Sequence, residues 1–124
     1  MEYKKKKLKK KNCLFCKIIS DNNDKKFFME NKNAIVIFDK FPLSEGHSLL
    51  ISRRHFKDIS LADKKTWSDF LPLLKKTLKE LKKIFSPKGF NIISNIGKEA
   101  YQSIFHIHIH IIPKYEKEKG FIWN

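Results

Sequence analysis

Residues 105–113, FHIHIHIIP, set three histidines at alternating positions, each followed by isoleucine. Side chains of a strand alternate between its two faces, so His106, His108 and His110 share one side and Ile107, Ile109 and Ile111 the other. The isoleucines are natural core. The histidines need another explanation. Consecutive imidazoles on such a strand lie about 6.6 Å apart along its axis, too far to close on one metal without curvature. The spacing therefore suggests a division of labour. Imidazoles in a row can hold a phosphate, supply a nucleophile and deliver a proton near neutral pH. One histidine on a strand is an ordinary half-buried side chain; strict alternation of three is not. The preceding NIGKEAYQS is a polar loop whose Asn95, Gly97, Gln102 and Ser103 suit an oxyanion-binding wall.

The rest of the chain supplies a sheet for this strand. FFMEN and 34–39 (AIVIFD), joined by the turn NKN, read as a hairpin, and 48–52 (SLLIS) as a third strand. Pro42 and Gly46 mark FPLSEGH as a loop. Trp67, Phe70, Leu71, Leu74, Leu78, Leu81 and Phe85 follow at helical spacing with lysines between them. Ser60 and Asp63 form a capping-box pattern ahead of that helix, Pro72 predicts a kink or a break near residue 68, and SPKG ends it. A fourth strand covers 90–94, and the fifth covers IFHIHIHIIP, residues 104–113. CLFCKIIS is a short turn or helix. Strands joined mostly by short turns and interrupted by one long helix predict a mainly antiparallel α+β domain.

Composition narrows the partners and the compartment. The 124 residues suffice for one domain with a real core. The reading assigns 12–124 to that domain and 1–11, MEYKKKKLKKK, to a basic, solvated tail. The net charge is +14, of which the tail supplies +6. Such a tail has a weak electrostatic attraction for nucleic acid or another polyanion. No run approaches the roughly 20 apolar residues of a membrane span, and the N-terminal stretch lacks the apolar segment of a secretory signal, so the expected location is cytoplasmic. The two cysteines, Cys13 and Cys16 in CLFC, are too few for a disulfide scaffold. They read as half a metal site, as a redox pair or as two buried thiols, and the lack of a thioredoxin-like βαβ pattern favours metal.

CLFCKII, IVIFDKFPLSEGHSLLISRRH, GFNIISNIG and YQSIFHIHIHIIP, taken in that order and at these spacings, resemble the histidine triad (HIT) superfamily, in its Hint-like branch. The resemblance implies the HIT-like α+β fold, with an antiparallel sheet of about five strands, one long helix and one short one. It also implies a nucleotide hydrolase or transferase acting at the α-phosphate of purine nucleotide conjugates, phosphoramidates among them. His108 would attack phosphorus and carry a covalent nucleotidyl group, provided that a carbonyl or another hydrogen-bonding partner fixes its tautomer. His110 would hold a nonbridging oxygen, Ser103 and Gln102 would contact the scissile phosphate and leaving group, and His47 would stand behind the nucleophile. Asp39 would bind ribose hydroxyls, Phe15 and Ile18 would wall the base, and Asn95 would sit near ribose and phosphate. A homodimer is implied as well, with the helix and a sheet edge at the interface.

Some members of that branch hold a structural zinc with an N-terminal Cys-x-x-Cys and two histidines. The resemblance extends the role to Cys13, Cys16, His55 and His106. Two departures stand out: Tyr101 occupies a position where the family often has glycine, which would reroute the loop or narrow the leaving-group side, and SDNNDKK replaces the usual Ile-Pro after the first segment. Two alternative functions fit the same residues: cleavage of dinucleoside polyphosphates, and a zinc-containing interaction module that binds nucleotide without turnover.

Overall fold

The computed structural model describes residues 12–21 and 27–116. The basic stretch 1–11 and most of the SDNNDKK segment lie outside the described residues. The elements are α1 (Leu14–Ser20), β1 (Met29–Glu30), β2 (Ala34–Phe38), β3 (Ser48–Ser52), α2 (Lys64–Phe85), β4 (Gly89–Ile93) and β5 (His108–Lys114), with 3-10 turns at Ile59–Leu61 and Lys98–Ala100. The strands form one antiparallel sheet in the order β1-β2-β3-β5-β4. The antiparallel α+β class and the five-strand count predicted from sequence are both present.

Helices cover both faces of the sheet, and the strand alternation decides which residue serves which. Ala34, Val36, Leu50, Ile109 and Ile111 pack with Phe70, Leu73 and Leu81 of α2. Ile35, Leu49 and Ile51 pack on the other face with Phe15, Cys13 and Cys16 at α1. Every residue of β3 is buried as a result, and its sequence is near-continuously apolar rather than alternating. Leu49 lies opposite His110 and Ile51 opposite His108, so both histidines project to the α1 face.

Helix α2 corrects three expectations. Its buried stripe is Thr66, Phe70, Leu73, Thr77 and Leu81, while Trp67 and Leu71 stand exposed at 46% and 60%. Thr77 enters the core because its hydroxyl donates to the Leu73 carbonyl at 2.8 Å. Pro72 neither breaks nor ends the helix. Ser68, whose carbonyl loses a partner to Pro72, is exposed, as is Pro72 itself, so water can meet that carbonyl. The N-cap is Asp63, whose carboxylate accepts from the Thr66 N–H at 3.0 Å. Ser60 belongs instead to the preceding 3-10 turn, where its N–H donates to Asp58 at 2.9 Å.

The fifth strand starts later than predicted. Residues 104–106 form a bend, the Ile107 N–H donates to the Phe56 carbonyl at 2.8 Å, and the ladder begins at His108. His106 therefore leaves the row. Among the described residues no helix is long and apolar enough to cross a membrane.

Candidate functional site

The bend before β5 sends the three histidines of FHIHIH to two places. His106 is fully buried beside the start of α1. Its Nε2 lies 2.7 Å from the Ser52 carbonyl. A carbonyl only accepts, so Nε2 carries the proton and the lone pair rests on Nδ1. That atom is 3.2 Å from Cys13 Sγ, 3.5 Å from Cys16 Sγ and 3.1 Å from His55 Nδ1. Cys16 Sγ and His55 Nδ1 are 3.3 Å apart. Helix α1 brings the thiols together: Cys13 is its N-cap and Cys16 lies in its first turn.

All four residues are buried and their ligand atoms lie within 4.8 Å of one another. A tetrahedral ion bound at the usual zinc distances has ligand–ligand edges of roughly 3.3–3.8 Å. The measured separations are close to those edges, and a closed two-sulfur, two-nitrogen set suits a soft-to-borderline divalent ion. The residues fit a metal. Burial pushes the His106 imidazolium pKa down to about 4, which keeps the ligand nitrogen unprotonated.

His108 and His110 remain on β5, half-buried, with ring centroids 5.3 Å apart. His108 Nδ1 is 2.8 Å from the His106 carbonyl. The same argument puts the His108 proton on Nδ1 and a lone pair on Nε2, at the edge of the ring away from that carbonyl. Phe15 packs edge-on to the ring at 5.1 Å.

His110 has the opposite tautomer, set by a relay from the backbone. The Leu43 N–H donates to His47 Nδ1 at 3.0 Å, so neutral His47 carries its proton on Nε2. His47 Nε2 lies 3.0 Å from His110 Nδ1 and 3.4 Å from Asp39 Oδ2. His110 Nδ1 therefore accepts, and its Nε2 bears an N–H. Gly46, at φ 88°, turns the chain into His47; a side chain there would meet Phe85 at 2.9 Å.

Burial lowers the pKa of all three of these histidines. It outweighs the Asp39 charge at His47, and both that charge and the His106 carbonyl at His108. His110 falls to about 4, through burial first and then the neighbouring His108 and His47. At neutral pH the pair presents one lone pair and one N–H.

Both open on a cleft of about 360 Å³ whose walls include Phe15, Ile18, Asp39, Ser103, His108 and His110. Six of the expected site residues thus converge. His47 is buried and stands behind His110 rather than behind His108 as expected. Asp39 Oδ1 accepts the Phe41 N–H at 2.9 Å, which leaves Oδ2 toward the histidines.

Two expected residues lie elsewhere. Gln102 is buried with its side chain turned into the loop: Oε1 accepts the Gly97 N–H at 2.8 Å, and Nε2 donates to the Lys57 and Ile104 carbonyls at 2.7 and 3.2 Å. Asn95 donates to the Tyr101 carbonyl at 3.4 Å and is absent from the cleft wall.

The cleft also contains Leu14, Ile37, Leu49, Ile104, Lys40 and Phe41, which the sequence did not mark as site residues, and Tyr101, marked there as a departure from glycine. Leu49 and Ile37 were available from strand alternation, since they share the face of His110. Phe41 and Tyr101 carry no periodic signal. Asp39, His47 and His110 also form a cluster compact enough for an ion, but the Leu43–His47–His110 relay already orders its nitrogens.

Comparison with known proteins agrees with this geometry. The HIT domain profile matches residues 20–117. An uncharacterized HIT-like protein of Mycoplasma genitalium is 40% identical over 112 residues, covering 90% of this chain and 79% of that protein. The adenosine 5'-monophosphoramidase hnt1 of Schizosaccharomyces pombe is 33% identical over 108 residues, covering 87% and 78%. The crystal structure of a HIT family member from Bacillus subtilis superposes with a TM-score of 0.80 at 32% identity, covering 90% of this chain and 79% of that one. With its fold, its histidine stretch and its relatives in accord, this chain belongs to the HIT family.

Proposed function

We propose that the protein hydrolyses, or transfers from, purine nucleotide conjugates at the α-phosphate, with phosphoramidates as the leading substrate class. The observation that carries this reading is the 2.8 Å contact of His108 Nδ1 with the His106 carbonyl, which frees the Nε2 lone pair. In the first step His108 Nε2 forms a bond to phosphorus as the bond to the leaving nitrogen or oxygen breaks. The leaving group takes up a proton, and a nucleotidyl-histidine remains. Water then displaces the histidine and releases the nucleoside monophosphate.

His110 donates from Nε2 to a nonbridging oxygen, positioned by His47. Ser103, on the cleft wall, contacts the leaving atom. Gln102 holds the loop that carries Ser103. Phe15 and Ile18 flank the base with apolar surface and few donors, so adenine and guanine are separated poorly. Asp39 accepts from the ribose hydroxyls. Cys13, Cys16, His55 and His106 hold a structural zinc that ties α1, and with it the base wall, to the strand of the nucleophile. Two buried cysteines with no disulfide between them suit a reducing, cytoplasmic setting. β4 ends the sheet with Ile92 44% exposed, an edge that suits a homodimer.

Purified protein assayed with adenosine 5′-phosphoramidate tests the reading. The expected result is release of adenosine monophosphate, with one nucleotidyl group found on His108 by mass spectrometry after rapid acid-free quenching. Full turnover by His108→Ala would overturn it.

A further inference from the structure

Tyr101 is the residue for which the fold offers no use. It caps the 3-10 turn Lys98–Ala100 in the left-handed region, at φ 66° and ψ 27°. Glycine adopts that conformation freely, whereas a bulky side chain is strained there. Packing does not compensate, because the residue is 87% exposed. The backbone is nevertheless pinned on both sides. Its N–H donates to the Lys98 carbonyl at 3.0 Å, and its own carbonyl accepts from Asn95 at 3.4 Å. The next residue donates to the Gly97 carbonyl at 3.0 Å and holds Gly97 in turn through its side chain at 2.8 Å. A large ring is thus carried on a braced loop, in an unfavourable conformation, with its surface in water. Tyr101 lines the same cleft as His108, His110 and Ser103.

We propose that Tyr101 is a stacking platform for the leaving group, and that it selects nucleotide conjugates whose leaving group carries a planar ring, such as an aryl amine or a second nucleobase. The inference rests on the α-phosphate reading above. In that reading the nucleoside end is built by α1 and the end of β2, whereas Tyr101 belongs to the loop of Ser103, which faces the leaving atom. A tyrosine ring offers a π-face for stacking and a hydroxyl that tolerates water, so it can stand exposed until a ring covers it. The bracing fixes the platform before substrate arrives, so little ordering is needed at binding.

The test compares substrates that share the adenosine 5′-phosphoryl group. Adenosine 5′-phosphoramidate releases ammonia and has no ring to stack; the corresponding anilide and diadenosine tetraphosphate do. The readout is the ratio of kcat/KM for a ring-bearing substrate to that for the ringless one. Tyr101→Ala should lower this ratio roughly 5- to 100-fold, the range found when a stacking aromatic is removed, and Tyr101→Phe should restore most of it. A second readout does not need turnover. In a His108→Ala background, the affinity for diadenosine tetraphosphate relative to adenosine monophosphate should fall by a similar factor on Tyr101→Ala.

Ratios that do not move in either measurement overturn the proposal, including the case in which Tyr101→Ala changes only the oligomeric state. Absence of turnover by folded wild-type protein that still binds nucleotide overturns the hydrolytic reading alone, and the binding ratio then decides for or against Tyr101. Failure to bind any nucleotide overturns both.

Discussion

Around His106 every ligand atom is buried and turned inward, toward Cys13, Cys16 and His55; around His108 the polar groups open on a cleft with Asp39, Ser103 and His110. The two histidines are neighbours but one in the chain, and one backbone carbonyl joins them. The His106 C=O orients the His108 ring, while the His106 side chain completes the thiol cluster. A closed set of four soft or borderline ligands suits a structural ion, and an open set with mixed tautomers suits chemistry on a bound anion. The difference teaches that alternation in sequence does not imply a shared task. A bend of three residues, 104–106, separates structure from reactivity.

The largest change is expected from substitution of His108. His108→Ala removes the only lone pair of the pair that faces the cleft and should lower kcat by about ten-thousand-fold or more, with the thiol cluster still able to hold its metal. Single-turnover kinetics together with metal content would check it. If both fell together, the two regions would be one functional unit. His110→Ala removes a donor rather than the nucleophile, and should cost roughly 100- to 1,000-fold in kcat. His47→Ala frees the His110 tautomer and should lie between wild type and His110→Ala, which a KM-against-kcat comparison would show.

Metal removal probes the other region. Chelation, or Cys13→Ser, should lower Tm by about 5 °C or more and weaken nucleotide binding through Phe15 and Ile18, because α1 is held by its own N-cap cysteine. The covalent step on bound nucleotide should change less than binding does. Elemental analysis and nucleotide titration of the same sample decide the matter: a stable, metal-free wild-type protein with unchanged affinity would reduce Cys13 and Cys16 to ordinary buried thiols.

Much of this was legible in the sequence where a local rule sufficed. The alternation of 108–111 and the apolar runs of β2 and β3 fixed the sheet faces, and Cys-x-x-Cys marked the thiol pair that meets His55 and His106 at α1. Two of the misses come from hydrogen bonds between segments far apart in sequence. His106 leaves the strand because Ile107 pairs with Phe56, some fifty residues away in sequence. Gln102 turns inward because Lys57, 45 residues away, and Gly97, in its own loop, supply partners. Thr66 and Thr77 look polar in a helical pattern, and both lie in the core stripe of α2. Tyr101 adopts a left-handed conformation at φ 66°, the backbone that the glycine often found at this position would take.

The pH profile should show the mildest changes, with activity and stability both falling toward acid. Protonation at His108 Nε2 removes the attacking lone pair, so activity is lost as pH falls through its folded-state pKa. Burial holds that pKa below the usual 6.5, against the opposing pull of the His106 carbonyl and Asp39. The value of kcat/KM should therefore stay level from about pH 8 to 6.5 and decline only below that range. Stability should follow a related but separate course. His110 has a folded-state pKa of about 4 against 6.5 for the ordinary side chain, and His47 is also lowered. Between those values the unfolded chain binds more protons than the folded one, so the stability present above pH 6.5 is lost progressively as pH falls toward 4. Thermal melts at a series of pH values, set beside kcat/KM at the same values, test both statements. A midpoint for the acid limb of activity at or above 6.5, in protein whose melting temperature has not begun to fall, would mean that Asp39 stabilises an imidazolium at His108 more than burial opposes it. The lone pair inferred from the 2.8 Å contact would then be largely protonated at neutral pH, and His108 would be assigned to proton donation instead.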